Sequence, residues 1–206
     1  EKVKLGFDTL KIKVGTGIEA DIARVKAIRE AVGFDIKLRL DANQAWTPKD
    51  AVKAIQELAD YQIELVEQPV KRRDLEGLKY VTSQVNTTIM ADESCFDAQD
   101  ALELVKKGTV DVINIKLMKC GGIHEALKIN QICETAGIEC MIGCMAEETT
   151  IGITAAAHLA AAQKNITRAD LDATFGLETA PVTGGVSLEA KPLLELGEAA
   201  GLGISH

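Results

Sequence analysis

Thr9-Leu10-Lys11-Ile12-Lys13-Val14-Gly15 sets two lysines two residues apart in a run that otherwise reads as a buried strand. Side chains of a strand alternate between faces, so Lys11 and Lys13 share one face while Leu10, Ile12 and Val14 form the other. Adjacent ammonium groups repel each other and are tolerable where an anion lies close; crowding also lowers the pKa of one lysine and makes it a usable base. Taken alone, the same stretch would serve as a solvated edge strand with alternating lysines. The residues that follow decide between the two readings.

Ile18, Ile22, Val25, Ile28 and Val32 stand at helical spacing with charges between them, which predicts an amphipathic helix over Ile18–Val32. Strand and helix then alternate. Strands are expected at Ile36–Asn43, Ile63–Pro69, Ile89–Ser94, Val112–Leu117, Cys140–Ala146 and Ala169–Ala173. Thr47-Pro48 supplies an N-cap followed by proline at the first helical position, and Asp97 can cap Ala98–Lys107, which Gly108 ends. Gly137 closes Ile123–Ala136, and Ile151–Ala162 is apolar on most sides and expected to be deeply packed.

Polar residues at the strand ends recur at a nearly constant interval: 28 residues from Lys13 to Asp41, then 26 to Glu67, 25 to Asp92 and 24 to Lys116. One strand, one helix and two loops take about that length, so the chain is a run of βα units with parallel strands and right-handed crossovers. A doubly wound sheet would normally carry a glycine-rich phosphate turn after its first strand, and Gly15-Thr16-Gly17 lacks the third glycine. The fold expected is therefore α/β, a TIM-type (β/α) barrel. Seven strands are found where a closed barrel has eight. Glu1–Phe7 reads as the tail of a helix entering the first visible strand, so the preceding strand is expected to be absent from this chain, a modified (β/α)7β barrel being the whole. Residues 1–175 would form most of the catalytic barrel. From Gly176 the pattern changes, with a turn at Thr183-Gly184-Gly185 and a hairpin over Val186–Leu196, so 176–206 reads as a tail packing on the barrel or on a further domain.

With 206 residues, 47% hydrophobic and 26% charged, the composition is that of a globular domain. A net charge of −8 argues against nucleic acid or an anionic membrane as main partner, since both need a basic face. No signal peptide is seen, and the longest apolar run, Gly152–Ala162, is too short to span a bilayer. Five cysteines, odd in number and without framework spacing, favour a reducing, cytoplasmic setting. Cys140 and Cys144 invite a zinc reading, but residues four apart in a strand lie roughly 13 Å from each other, too far to share one ion. A homo-oligomer stays open.

In parallel barrels the chemistry sits at the C-terminal ends of the strands. Asp41, Glu67 and Asp92 end three successive strands and would converge. Three carboxylates without histidine make an all-oxygen site suited to Mg²⁺ or Mn²⁺, with positions open for a substrate carboxylate. Each acid could instead cap a helix or pair with a lysine, but three in the same place of three consecutive units favour a shared site. Lys116 stands at the same level on the strand after that of Asp92. A substrate held by its carboxylate would then have lysines on both faces of its α-carbon, one to remove a proton and the other to return it, while the cation stabilises the enediolate dianion formed.

Lys11-Ile12-Lys13, Asp41-Ala42-Asn43, Glu67-Gln68-Pro69, Asp92-Glu93-Ser94 and Lys116 followed by Lys119-Cys120-Gly121-Gly122 resemble the muconate-lactonizing-enzyme subgroup of the enolase superfamily, with every motif in order across nearly the whole chain. Asp170-Leu171-Asp172 resembles the acidic pair with which dipeptide epimerases bind the free ammonium of their substrate, and a spacing of two in a strand would put both acids on one face. Met141–Glu148 is similar to the seventh strand of those enzymes. The resemblance implies Lys13 and Lys116 as acid/base catalysts, Lys11 against the substrate carboxylate, and Asp41, Glu67 and Asp92 as ligands of Mg²⁺. Cys144, Ala146, Asp170 and Asp172 would touch substrate, a dipeptide whose C-terminal residue is epimerised. It also implies an N-terminal capping domain, which is expected to be absent from this chain like the first strand. Muconate cycloisomerisation or o-succinylbenzoate synthesis uses the same fold, but those substrates carry no ammonium, which leaves two facing acids without a cation. A non-catalytic barrel is the remaining alternative. Lys119 receives no role, Trp46 is expected to shield the site or to pack at its rim, His158 is expected to be buried and hydrogen-bonded, and His124 to lie at a helix start.

Overall fold

The computed structural model of the chain describes residues 1–173, 182–188 and 192–205. Two compact units are resolved: Glu1–Cys95 with Glu103–Val112, and Phe96–Leu102 with Ile113–His206.

The first unit alternates strand and helix as the periodicity predicts: β1 (Thr9–Lys13), α1 (Ile18–Val32), β2 (Lys37–Asp41), α2 (Pro48–Glu57), β3 (Ile63–Glu67), α3 (Leu75–Gln84) and β4 (Thr88–Ala91). Its strands pair in parallel in sequence order. Leu38, Leu40, Leu65, Val66, Ile89 and Met90 are fully buried; neighbours along a strand point to opposite faces, so both faces are covered, as parallel sheets require. Thr47 caps α2, its hydroxyl accepting from the Asp50 amide, and Asp74 caps α3 through Gly77. Buried Arg29 of α1 donates to four carbonyls, those of Gly33, Ile36, Tyr61 and Gln62, and so ties α1 to the turns that enter β2 and β3.

One register relation governs the chemistry. Lys13 lies opposite Asp41, and Asp41 opposite Glu67, so the last residues of β1, β2 and β3 form one row. Asp92 follows the last residue of β4. Ile36–Asn43, Ile63–Pro69 and Ile89–Ser94 were expected as strands, but the ladder stops at or just before each acid. Asn43, Gln44 and Gln68 take positive φ (41°, 69° and 37°), which turns the backbone out of the strand immediately beyond Asp41 and Glu67.

The second unit contains β5 (Val112–Lys116), the short helix α5 (Leu117–Cys120), α6 (Ile123–Ala136), β6 (Glu139–Gly143), α7 (Thr150–Ala162) and β7 (Ile166–Asp170), with strand order β5-β6-β7. Helix α4 (Ala98–Lys107) starts at Asp97, whose carboxylate accepts from the Gln99 and Asp100 amides. Gly137 closes α6 in the left-handed conformation. Gly143 of β6 is required by packing: a Cβ there would lie 2.6 Å from Oδ1 of the buried Asn114 amide. Beyond β7, β8 (Thr183–Gly184) pairs antiparallel with β11 (Ile204–Ser205), and β9 (Ser187–Leu188) with β10 (Leu194–Glu195). Residues 176–181, 189–191 and 206 of the expected tail lie outside the described residues.

Two further strand boundaries differ from the sequence reading. Cys144–Ala146 leave β6, because the buried Glu148 carboxylate accepts from the Met145 amide at 3.0 Å and folds the segment into a turn. β7 begins at Ile166, three residues before the predicted Ala169. The interior of the strand is half exposed, with Arg168 paired to Glu139, so its pattern does not read as buried. Asp170 therefore ends the strand and Asp172 lies beyond it; the shared strand face expected for the pair does not exist. His158 is half-buried rather than buried.

Candidate active site

Lys13 donates from Nζ to Asp41 Oδ2 at 2.6 Å and to Asn43 Oδ1 at 2.8 Å. Lys11 Nζ lies 3.8 Å from Glu67 Oε2. The anion demanded by two lysines on one strand face is thus supplied twice, by the two carboxylates of the next strands. Asp41 and Glu67 have no exposed surface and Asp92 has 2%, while 63% of the Lys13 side chain remains accessible. The acids are sunk at the strand ends and the ammonium of Lys13 stands out from them.

Several residues without an assigned role hold this arrangement. Gln68, fully buried, accepts through Oε1 from the amides of Asp92 and Ser94 at 2.9 and 3.0 Å, and donates through Nε2 to Ser94 Oγ and the Val70 carbonyl. It fixes the backbone that carries Asp92. Asn43 bonds Lys13 with its carbonyl oxygen, the Asp41 carboxylate with its backbone amide, and Glu93 Oε1 with its amide nitrogen. The loop after Lys13 is gathered by Asp21, which accepts from the amides of Gly15, Thr16 and Gly17, from Thr16 Oγ1, from Trp46 Nε1 and from Arg24. Burial would raise the Asp21 pKa, but the Gly15 and Thr16 amides, Trp46 and the Thr16 hydroxyl outweigh it and hold the group below its usual value. Arg24, oriented by Asp21, donates to the Lys13 carbonyl at 3.0 Å. Gly15 has φ 106°, and a Cβ on it would stand 2.4 Å from that of Ala45, so this loop presses directly on the one after Asp41. Trp46 is buried here and donates to Asp21 from the loop after Asp41. Of these residues the sequence showed only that Gln68 directly follows Glu67 and that Asn43 stands two residues after Asp41, in the quoted motifs.

Among the described residues, no three acidic, histidine or cysteine side chains already meet as a ready set of metal ligands. Asp41 is turned toward Lys13 and Glu67 toward Lys11. The donor chemistry still fits a hard divalent cation. Three buried carboxylates end adjacent strands, and Oε2 of the neighbouring Glu93 is buried with no hydrogen-bond partner among the described residues, so acceptor capacity is left over.

In the second unit Lys116 ends β5 with 8% of its surface exposed. Lys119 donates to the Asn114 carbonyl at 3.0 Å and lies 5.8 Å from the Phe96 ring centre, a structural placement for a residue the motifs left without a role. Cys144 is grouped with Asp170, Asp172 and Glu148: burial pushes its thiol up to about 11, the Ala173 amide works the other way, and the three carboxylates add to the rise. Cys144, Asp170 and Asp172 are therefore brought together although none shares a strand face with another. Ala146 is exposed in the turn beyond them.

Comparison with known proteins identifies the family. The family described as enolase C-terminal domain-like matches residues 1–206. An L-Ala-D/L-Glu epimerase of Clostridium acetobutylicum is 50% identical over 206 residues, covering 99% of this chain and 57% of the relative. The substrate-liganded L-Ala-D/L-Glu epimerase of Bacillus subtilis superimposes with a TM-score of 0.96 at 52% identity, over 98% of this chain and 57% of that one. A dipeptide epimerase from Cytophaga hutchinsonii, complexed with Mg and D-Ala-L-Val, gives 0.95 at 38% identity, over 99% and 55%. The chain thus spans a little over half the length of these relatives, and the fold it shares with them is the TIM-type (β/α) barrel expected from the spacing of its strand ends. Since the description fits every residue and the fold is shared at half identity, the chain belongs to the enolase C-terminal domain-like family.

Proposed function

We propose that the protein epimerises dipeptides at the α-carbon of the C-terminal residue. The observation that carries this reading is the row of Lys13, Asp41 and Glu67 at adjacent strand ends, with an accessible ammonium 2.6 Å from a buried acid, in a chain half identical to an L-Ala-D/L-Glu epimerase.

Asp41, Glu67 and Asp92 would hold Mg²⁺, with Mn²⁺ as a substitute of the same hardness. Held there, the ion would supply Lewis-acid stabilisation of the charge that builds on the substrate carboxylate as the α-proton leaves. Lys11, beside Glu67, adds positive charge next to that carboxylate. For one isomer, neutral Lys13 takes the α-proton as the C–H bond breaks and becomes an ammonium. Lys116, starting as an ammonium, returns a proton to the opposite face and is left neutral. For the other isomer the roles reverse, and solvent resets both lysines. Asp170 and Asp172 would accept from the ammonium of the N-terminal residue, which selects a dipeptide over a plain carboxylic acid.

The test is direct. Supplied with Mg²⁺ and L-Ala-L-Glu, the protein should yield L-Ala-D-Glu by chiral chromatography, and a chelator should stop the reaction. Lactone or dehydration products from a carboxylate substrate, with no epimer from any dipeptide, would favour cycloisomerisation or elimination; no chemistry with either would favour a non-catalytic barrel.

A further inference from the structure

We propose that Asn43 is a positioning residue for Lys13 and that Glu93 sets the orientation of the Asn43 amide; this rests on the dipeptide epimerase reading above. Lys13 Nζ has three N–H bonds and no lone pair when protonated, so it can bond Asn43 only through the carbonyl oxygen, which it does at 2.8 Å. The Glu93 carboxylate only accepts, and it takes the amide nitrogen at 3.3 Å. A flipped amide would set its NH₂ against the ammonium and its oxygen against the carboxylate, losing both bonds. The two partners therefore admit one orientation. The backbone agrees, since Asn43 is held at φ 41°, a left-handed conformation that asparagine accepts more readily than most residues, with its amide on Asp41 Oδ1.

What the arrangement does follows from Lys13's other contacts. Asp41 alone leaves the long lysine side chain free to pivot about one bond, and 63% of that side chain faces solvent. A second acceptor, on a different residue, defines the direction of the ammonium. A displacement of about 1 Å in a reacting group can cost on the order of a hundredfold in rate, so a fixed direction matters for the half-reaction that Lys13 serves and not for the one that Lys116 serves.

The test reads the two half-reactions separately, as exchange of the α-proton in D₂O from each substrate isomer. The isomer that Lys13→Ala no longer exchanges defines the Lys13 side. Asn43→Gly removes the amide and keeps the positive φ without strain, so the variant should fold. It should slow exchange on the Lys13 side by about tenfold or more, leave the Lys116 side within about twofold, and lower kcat with little change in KM. The double variant Asn43→Asp with Glu93→Gln exchanges donor and acceptor at unchanged net charge and should restore most of the lost rate. Equal loss on both sides, no loss at all, or a double variant no better than Asn43→Gly would overturn the proposal while leaving the epimerase reading intact. A parent protein that exchanges neither isomer would overturn that reading, and this proposal with it.

Discussion

Lys13 and Asp41 occupy opposed positions on neighbouring parallel strands, and their charged atoms meet at 2.6 Å, the acid wholly buried and the lysine largely open. This asymmetry separates two tasks at one contact. The carboxylate is held by the Asn43 amide and by Lys13, and the proposed function has it share a cation while the accessible amine meets the substrate.

If Asp41, Glu67 and Asp92 hold the metal together, each should matter for binding and not only for rate. Asp41→Asn, Glu67→Gln and Asp92→Asn are each expected to weaken Mg²⁺ binding at least about tenfold in calorimetric titration, because each removes one charged oxygen donor from a hard ion. A variant that binds as the parent does would remove that residue from the ligand set.

Gln68 makes four hydrogen bonds without access to water. Gln68→Leu leaves the amides of Asp92 and Ser94 and the Val70 carbonyl unsatisfied, each costing about 1 kcal/mol or more, so urea denaturation should show a loss of about 3 kcal/mol. A loss below about 1 kcal/mol would mean that the loop carrying Asp92 is held by other contacts.

Asp21 should make stability depend on pH in one direction. Its folded pKa lies below the ordinary 3.8, so its contribution is present above 3.8 and disappears as pH falls through the lower folded value. Asp21→Asn, which turns an NH₂ toward a set of donors, should cost about 2 kcal/mol at pH 7. Thermal melts of parent and variant should converge below pH 3.8. A gap that stays constant down to the acid limit would contradict the ionised carboxylate.

The Cys144 thiol, raised by burial and by the carboxylates of Asp170, Asp172 and Glu148 to about 11 from 9.0, should alkylate about a hundredfold more slowly at pH 8 than an ordinary thiol. Asp170→Asn should speed the reaction. Labelling at the ordinary rate in the parent would separate Cys144 from the acids grouped with it.

The spacing of strand ends made the alternation, the strand count and the row of acids legible, because parallel βα units have a nearly fixed length and buried strands a strong pattern. Helices α1, α4 and α6 fall where periodicity and caps put them. What escaped lay where side chains override pattern. The Glu148 carboxylate bends Cys144–Ala146 out of β6, and the half-exposed residues of β7 conceal where that strand begins. The network about Lys13 was hidden for another reason. Asn43 and Gln68 look like ordinary polar loop residues until their positive φ and paired donors and acceptors are seen, and Asp21 and Trp46, 25 residues apart in the sequence, meet only in the fold.

The most direct measurement of the central claim, that Lys13 and Lys116 serve opposite faces of one carbon, is stereospecific exchange in two single variants. Lys13→Ala and Lys116→Ala, each given Mg²⁺ and both isomers of L-Ala-Glu in D₂O, are followed by mass spectrometry for a one-unit gain. Each variant should lose epimerisation and retain exchange from one isomer only, the retained isomer differing between the two. If either variant still interconverts both isomers at the parent rate, or both retain exchange from the same isomer, the two-lysine account is wrong.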